Sequence, residues 1–461
     1  MKRVLLMGCG LLFSSLMLAQ TKSLYQLQQE FEDLQFGMFT HYGVPTYQPA
    51  DWSDPEQSPE IIDAPKLDCK QWARAAKSAH MQFGVLSVKH HNGLCLWDTK
   101  TTDYNIMHSR LARDVVGEYC RAFRQEGLKV MFHFSILDTH HRLRPHKITP
   151  EQIAMTKQQL TELLTQYGEV TAIIFDGWEA PWGRISYDDV PFTEIYALIK
   201  RLQPHCLVID MNSHKYPREA LFYSDIKFYE QGAGQKIDAR TNRLPAMACL
   251  PMQRTWFWKE SMPTDTLLDA RRFVEDILVP YNQAHCSFVL NAAPNRDGLI
   301  DANALRVLRQ IGRLWKPGPR VALPESPAPV LQRNVARFKP SESSWSDDMM
   351  IMDLANDDDF SSAWRSFPSV QRPYWEVELG DDRLVDMVVL TEPQGGVIQE
   401  YRIDCRTAEG TWQTLFEGEA PTQERVKIHR FSPVRAAYVR VTITRSDGAP
   451  AIAELGVYEA D

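Results

Sequence analysis

At 461 residues the chain is longer than one hydrophobic core usually serves, so two domains are expected. Its 44% apolar and 24% charged residues are ordinary for a globular protein, and a formal net charge of -8 argues against a nucleic-acid surface. The glycine patterns of phosphate loops and dinucleotide folds are absent, which leaves nucleotide chemistry without support.

The first element, MKRVLLMGCGLLFSSLMLAQ (1–20), has Lys2 and Arg3, then an apolar stretch, then Ala19-Gln20. It reads as an export signal, too short for a membrane span, and places the mature protein in the periplasm or outside the cell. Seven scattered cysteines remain after it, with no CxxC pair, so buried free thiols are expected rather than a disulfide framework or a zinc site.

From about residue 30 to 315 short apolar strands alternate with amphipathic helices. Strands are expected at 36–41, 83–91, 130–136, 171–177, 206–212, 225–230, 254–258 and 286–292, with helices between them, for example 69–80, 157–168 and 267–284. Alternation of this kind implies parallel strands and right-handed crossovers, and eight strands over this length predict an α/β fold, a (β/α)8 TIM-like barrel. KPGPRVALPESPAP (316–329) then reads as a linker. Beyond it YWEVELG, VDMVVLTE, IQEYRIDCRT, AAYVRVTIT and AELGVYE alternate or are β-branched between close turns, which predicts an all-β sandwich. The domains are therefore placed at 21–318 (barrel), 319–333 (linker) and 334–461 (β domain).

In such a barrel chemistry sits where the strands end. Those ends carry His41, His90-His91, Ser135 with Asp138, Asp176, Asn212, Glu230, Trp258 and Asn291. Asp176 closes the apolar run AIIFDG; an Asp-Gly pair there is most often a turn or a helix cap. A ring of polar groups at the same level shifts the reading towards a site. Two carboxylates at a barrel mouth suit glycoside cleavage, one attacking the anomeric carbon and the other protonating the leaving oxygen. Trp52, Trp97, Trp178, Trp256 and Trp258 would stack on a sugar, and histidines would bond its hydroxyls. For His90-His91 a metal site or plain strand-end packing is the alternative, and no HExxH-type motif accompanies the pair.

QFGMFTHYG, SVKHHNGLCLWDTKTTDYNI, IIFDG and SFVLNAAPNRDGLI resemble the motifs of the glycoside hydrolase family 29 α-L-fucosidases over roughly residues 30 to 315. The resemblance implies a retaining exo-α-L-fucosidase, and TKTTDYNI with the appended β domain resembles the branch acting on α-1,3/1,4-linked fucose. It implies Asp176 as nucleophile and Glu230 as acid/base, with Glu219 as the alternative acid. His41, Asp51, Trp52, His90, His91, Trp97, His133 and Trp256 are the implied substrate contacts. HHNGL and Asp51-Trp52 stand where the family has HHDGF and Glu-Trp. NVA (334–336), SSAW (361–364) and the strands that follow resemble a discoidin-like carbohydrate-binding module. No cofactor or catalytic metal is implied; DLANDDDF (353–360) reads as a solvated acidic turn, with a structural calcium loop as the alternative that the resemblance allows. A fucosylated glycan is the implied partner. The alternatives are an exo-glycosidase on another L-configured or 6-deoxy sugar, and a glycan-binding protein without catalysis.

Overall fold

A computed structural model describes residues 22–325, 328–347 and 352–460; the expected export signal at 1–20 lies outside the described residues. Eight parallel strands form the barrel: β1 (Phe36–Thr40), β2 (Phe83–Lys89), β3 (Lys129–Ser135), β4 (Ala172–Asp176), β5 (Leu207–Asp210), β6 (Lys227–Glu230), β7 (Ala246–Pro251) and β8 (Cys286–Asn291). They pair in the order β5-β4-β3-β2-β1-β8-β7-β6. Phe39, Val85, Met131, Ile174, Ile209, Phe228, Met247 and Val289, one from each strand, fill the interior. Alternate residues such as Met38, Leu86, Phe132, Ile173 and Phe288 face outward into the helical layer. Burial on both faces explains why these strands read as continuous apolar runs.

The seam between β5 and β6 is closed by side chains. Asp225 donates its backbone N–H to Val208 O (2.7 Å) and accepts the Val208 N–H on its carboxylate (2.9 Å), while Ser224 Oγ accepts from Asp210 N–H (3.1 Å). Lys200 and Tyr196 complete the bonding of the buried Asp225 carboxylate.

Helix α1 (Leu24–Glu32) packs Leu27 and Phe31 against the barrel's interior, helices α2 (Cys69–Ser78), α3 (Val115–Gln125), α4 (Pro150–Gln166) and α5 (Phe192–Leu202) cover the outside, and Ala302–Leu314 follows β8. The α4 helix starts earlier than the apolar pattern predicts, because Thr149 and Gln152 form a capping box with Pro150 in the first turn. The expected helix 267–284 is α-helical at Ala270–Arg272 and Val279–Gln283 and π-helical at Phe273–Leu278. Pro280 lacks the N–H that a regular turn would use there.

The seventh strand departs from expectation. RTWFW (254–258) is the loop after β7, not the strand, and its Trp256 and Phe257 amides bond the Asp51 carboxylate rather than a ladder. The strand itself, AMACLP, has no β-branched or aromatic residue and ends on a proline, so it carries almost no β signal.

No α-helix follows β5 or β6 among the described residues. The β domain takes that place. Met387, Val389, Val426 and Tyr458 join the barrel's outer core, and Phe360 packs on Tyr216 and Phe222. The proline-rich stretch is not a free tether. Leu323 is buried, its N–H donates to Gln29, and Tyr25 donates to its carbonyl.

The β domain contains β9 (Ser341–Ser343), β10 (Trp364–Arg365), β11 (Tyr374–Thr391), β12 (Ile398–Arg406), β13 (Gln413–Glu419), β14 (Val426–Ser446), β15 (Ala451–Ile452) and β16 (Glu454–Glu459). The sheet is antiparallel, ordered β13-β12-β14-β11-β16 with β9 added on β11, and β10 pairs with β15. Register shifts after Glu378 and Val385 break the long β11–β14 pairing, and bulges there bend the strands around the core of Trp364, Trp375 and Tyr401.

Candidate active site

The C-terminal ends of the strands bring Asp176, His41, His90, His91, His133 and Glu230 to one mouth. Asp176 ends β4 and is nearly buried. His133 Nε2 lies 3.4 Å and His91 Nε2 3.5 Å from its Oδ2. Burial alone would raise its pKa; His91, the hydrogen bond from His133 and the Gly177 N–H outweigh that and hold the carboxyl below its ordinary value. Asp176 is therefore an anion at neutral pH.

Neighbouring groups set the imidazole tautomers. Asn291 donates to Trp256 O through its Nδ2, so its Oδ1 accepts from His41 Nδ1–H at 2.9 Å. That leaves His41 Nε2 as an acceptor facing the mouth. Ser135 donates to Leu137 O, so its Oγ accepts from His91 Nδ1–H at 2.7 Å. His91 Nε2 is then also an acceptor, and burial lowers its pKa to about 4. Ser87 pairs with His133 Nδ1 at 2.9 Å, which turns His133 Nε2–H towards Asp176. Burial likewise holds His41 and His90 well below the usual imidazole range, so both rings are neutral at neutral pH.

Glu230 ends β6, part-buried, its backbone N–H donated to Gln235. Burial, then repulsion from Asp176, push its carboxyl up to about 7 against a hydrogen bond from Trp256. Trp256 packs 5.1 Å from the His41 ring.

Several expected contacts lie elsewhere. Trp97 is fully buried, its indole N–H donated to Glu162 of α4 at 2.9 Å, so it belongs to the helical layer and not to the mouth. Trp178 is equally buried and donates to Val190 O. Both Asp51 oxygens are committed to the Trp256 and Phe257 amides (2.8 and 3.2 Å), with Lys259 3.4 Å away. Asp51 therefore holds the loop that carries Trp256. Asp138 is turned away from the mouth to a buried Lys89 and to His141. Glu219 lines a cleft of about 790 Å³ between β6 and the β domain, together with Lys227, Phe360 and Arg425. In 353–360, Asp358 faces Lys215 and Arg337, Asp357 faces Ser362, and Asp359 faces Ser361. These carboxylates do not converge, and no group of three or more His, Cys, Asp or Glu suited to a metal occurs among the described residues.

Two features escaped sequence reasoning. Trp182, in the loop after β4, is 48% exposed beside Trp52 (51%), and both rings lie within 5 Å of His91. Asp210, at the end of β5, is a third carboxyl near Asp176; burial raises it to about 7 and Tyr187 donates to it. LVID ends in an acid just as IIFD does, which was the available signal.

A family model described as Alpha-L-fucosidase matches residues 15–316, and one described as F5/8 type C domain matches 339–455. The chain is 24% identical to Alpha-L-fucosidase 1 of Arabidopsis thaliana over 94% of its length and 86% of that protein. It is 22% identical to Tissue alpha-L-fucosidase of Homo sapiens over 59% of its length and 63% of that protein. Among solved structures, Alpha-L-fucosidase isoenzyme 1 from Paenibacillus thiaminolyticus superposes with a TM-score of 0.55 at 21% identity, covering 95% of this chain and all (100%) of that one. A Ruminococcus gnavus fucosidase in complex with fucose gives 0.50 at 18% identity, covering 95% and 94%.

Proposed function

The chain belongs to the α-L-fucosidase family, and from that premise we propose that it is an exported, retaining exo-α-L-fucosidase that removes terminal α-1,3/1,4-linked fucose from glycans. The observation that carries the reading is the opposed protonation of Asp176 and Glu230 at one barrel mouth, an anion beside a carboxyl held protonated to about pH 7. In the first step an Asp176 oxygen bonds to the anomeric carbon as the glycosidic bond breaks, and Glu230 gives its proton to the leaving oxygen. In the second, Glu230, now a carboxylate, takes a proton from water. The resulting hydroxide attacks the anomeric carbon and Asp176 leaves. Neutral His41 and His91 accept from sugar hydroxyls, and His133 steadies the nucleophile. The linkage and the export rest on TKTTDYNI and on residues 1–20.

Asp176→Ala should lower turnover of a chromogenic α-L-fucoside by several orders of magnitude, as loss of a nucleophile does. Added azide should restore it, giving β-fucosyl azide. Near-wild-type turnover without azide would remove the assignment. Hydrolysis of a different L-configured or 6-deoxy glycoside in preference to fucosides would move the substrate to that sugar.

A further inference from the structure

The loop after β4 is fastened from the β domain. Glu179 sits three residues past the nucleophile with φ at 50°, left-handed backbone that a non-glycine residue holds only when its surroundings enforce it. Those surroundings are charges. Glu179 Oε1 meets Arg337 Nη1 at 3.0 Å and its Oε2 meets Lys215 Nζ at 3.1 Å. Asp358 completes the square, 2.8 Å from Lys215 and 2.9 Å from Arg337. Arg337 and Asp358 belong to the β domain, Lys215 to the loop after β5.

From this anchor the loop closes on itself. Glu179 N–H donates to Ile185 O (2.7 Å), and Ala180 O accepts from Gly183 N–H (3.0 Å) and Arg184 N–H (2.8 Å). Ala180-Pro181-Trp182-Gly183 is thus a β-turn with proline in its favoured second position, and Trp182 stands at the tip. Its ring meets Trp52 edge-on, centroids 5.0 Å apart at 85°. Both rings lie one layer outside His91, away from the imidazole floor, and each keeps about half of its surface in solvent.

An exo-acting pocket takes one sugar, and the remainder of the glycan leaves past the rim. Resting on the fucosidase reading, we propose that Trp182 is a contact for the leaving-group sugars, and that Arg337 of the β domain is a positioning residue that sets it through Glu179. Half-exposed aromatic faces at the rim give the apolar C–H face of a pyranose a surface to cover, beyond the reach of the fucose-binding histidines. The β domain then shapes specificity without touching substrate.

The test compares two substrates with the same fucose: α-L-fucosyl fluoride, whose leaving group has no ring, and a fucosylated trisaccharide. In Trp182→Ala the ratio of kcat/KM for trisaccharide over fluoride should fall roughly five- to tenfold, mostly in KM, and Trp182→Phe should restore most of it. Arg337→Met should lower the same ratio in the same direction; a purely structural role would lower melting temperature and leave the ratio alone. Asp358→Asn, which keeps its volume, makes the same measurement if Arg337→Met does not fold. An unchanged ratio in Trp182→Ala would overturn the contact, and an unchanged ratio in soluble Arg337→Met or Asp358→Asn would overturn the positioning. If the wild type fails to turn over fucosyl fluoride, the fucosidase reading itself falls instead.

Discussion

The two carboxyl groups at the mouth illustrate how surroundings drive one functional group in opposite directions. Asp176 has a donor in His133 and the Gly177 amide; Glu230 has burial and a like charge. A carboxyl raised in the folded state is destabilising once ionised. The penalty is absent below about pH 4, where both folded and unfolded chains hold the proton, and it is complete above the folded value of about 7. Glu230→Gln should therefore gain stability on the order of 3 kcal/mol relative to wild type between pH 4 and pH 8. Urea midpoints at the two pH values check the sign; a gain confined to pH 4 would contradict it. If Glu230 is the acid, kcat/KM on an oligosaccharide should fall as pH rises through about 7. An alkaline limb lying well away from that value would assign the acid to another group.

At the scale of elements, the barrel depends on the β5–β6 seam, where one side chain substitutes for a ladder. The Asp225 carboxylate accepts from the Val208 amide, Lys200 and Tyr196 while fully buried. Removing it leaves the buried Val208 amide without an acceptor and takes a carboxylate from the part-exposed Lys200, which keeps its bond to Cys206 O, so Asp225→Ala should cost about 1–3 kcal/mol. Equilibrium unfolding measures this, and a loss under about 1 kcal/mol would show that water restores the seam. SDIKF reads as an ordinary strand start. Nothing in its pattern marks Asp225 as the closure, because the partner strand it joins is known only from the ring order.

For the whole molecule, the β domain stands in for helices that the barrel lacks after β5 and β6. Tyr216 and Phe222 are covered by Phe360, and Tyr458, Met387 and Val389 continue the barrel's core. A chain ending at Pro319 would expose this apolar face together with Lys215, whose Asp358 partner would be gone. It should be insoluble or melt far below the full chain. A soluble, cooperatively folded barrel of residues 21–319 with full activity on fucosyl fluoride would show the domains to be independent.

Strand-end acids and histidines are visible in a linear pattern because a parallel barrel must bury its strands, so the run turns polar only where it leaves the core. That logic placed His41, His90, His91, Asp176 and Glu230 at strand ends, and the eight-stranded barrel and the change to β pattern after residue 330 were legible in the same way. It failed where the local pattern is silent. The strand AMACLP is buried by its place in the ring rather than by its own β propensity. Trp97 and Trp182 are both tryptophans near strand ends, yet one is sealed under α4 and the other stands at the rim. Only the path of each loop separates them. The tie from Arg337 to Glu179 spans 158 residues, and such a pairing exists only once two domains have packed, since charge alone names no partner.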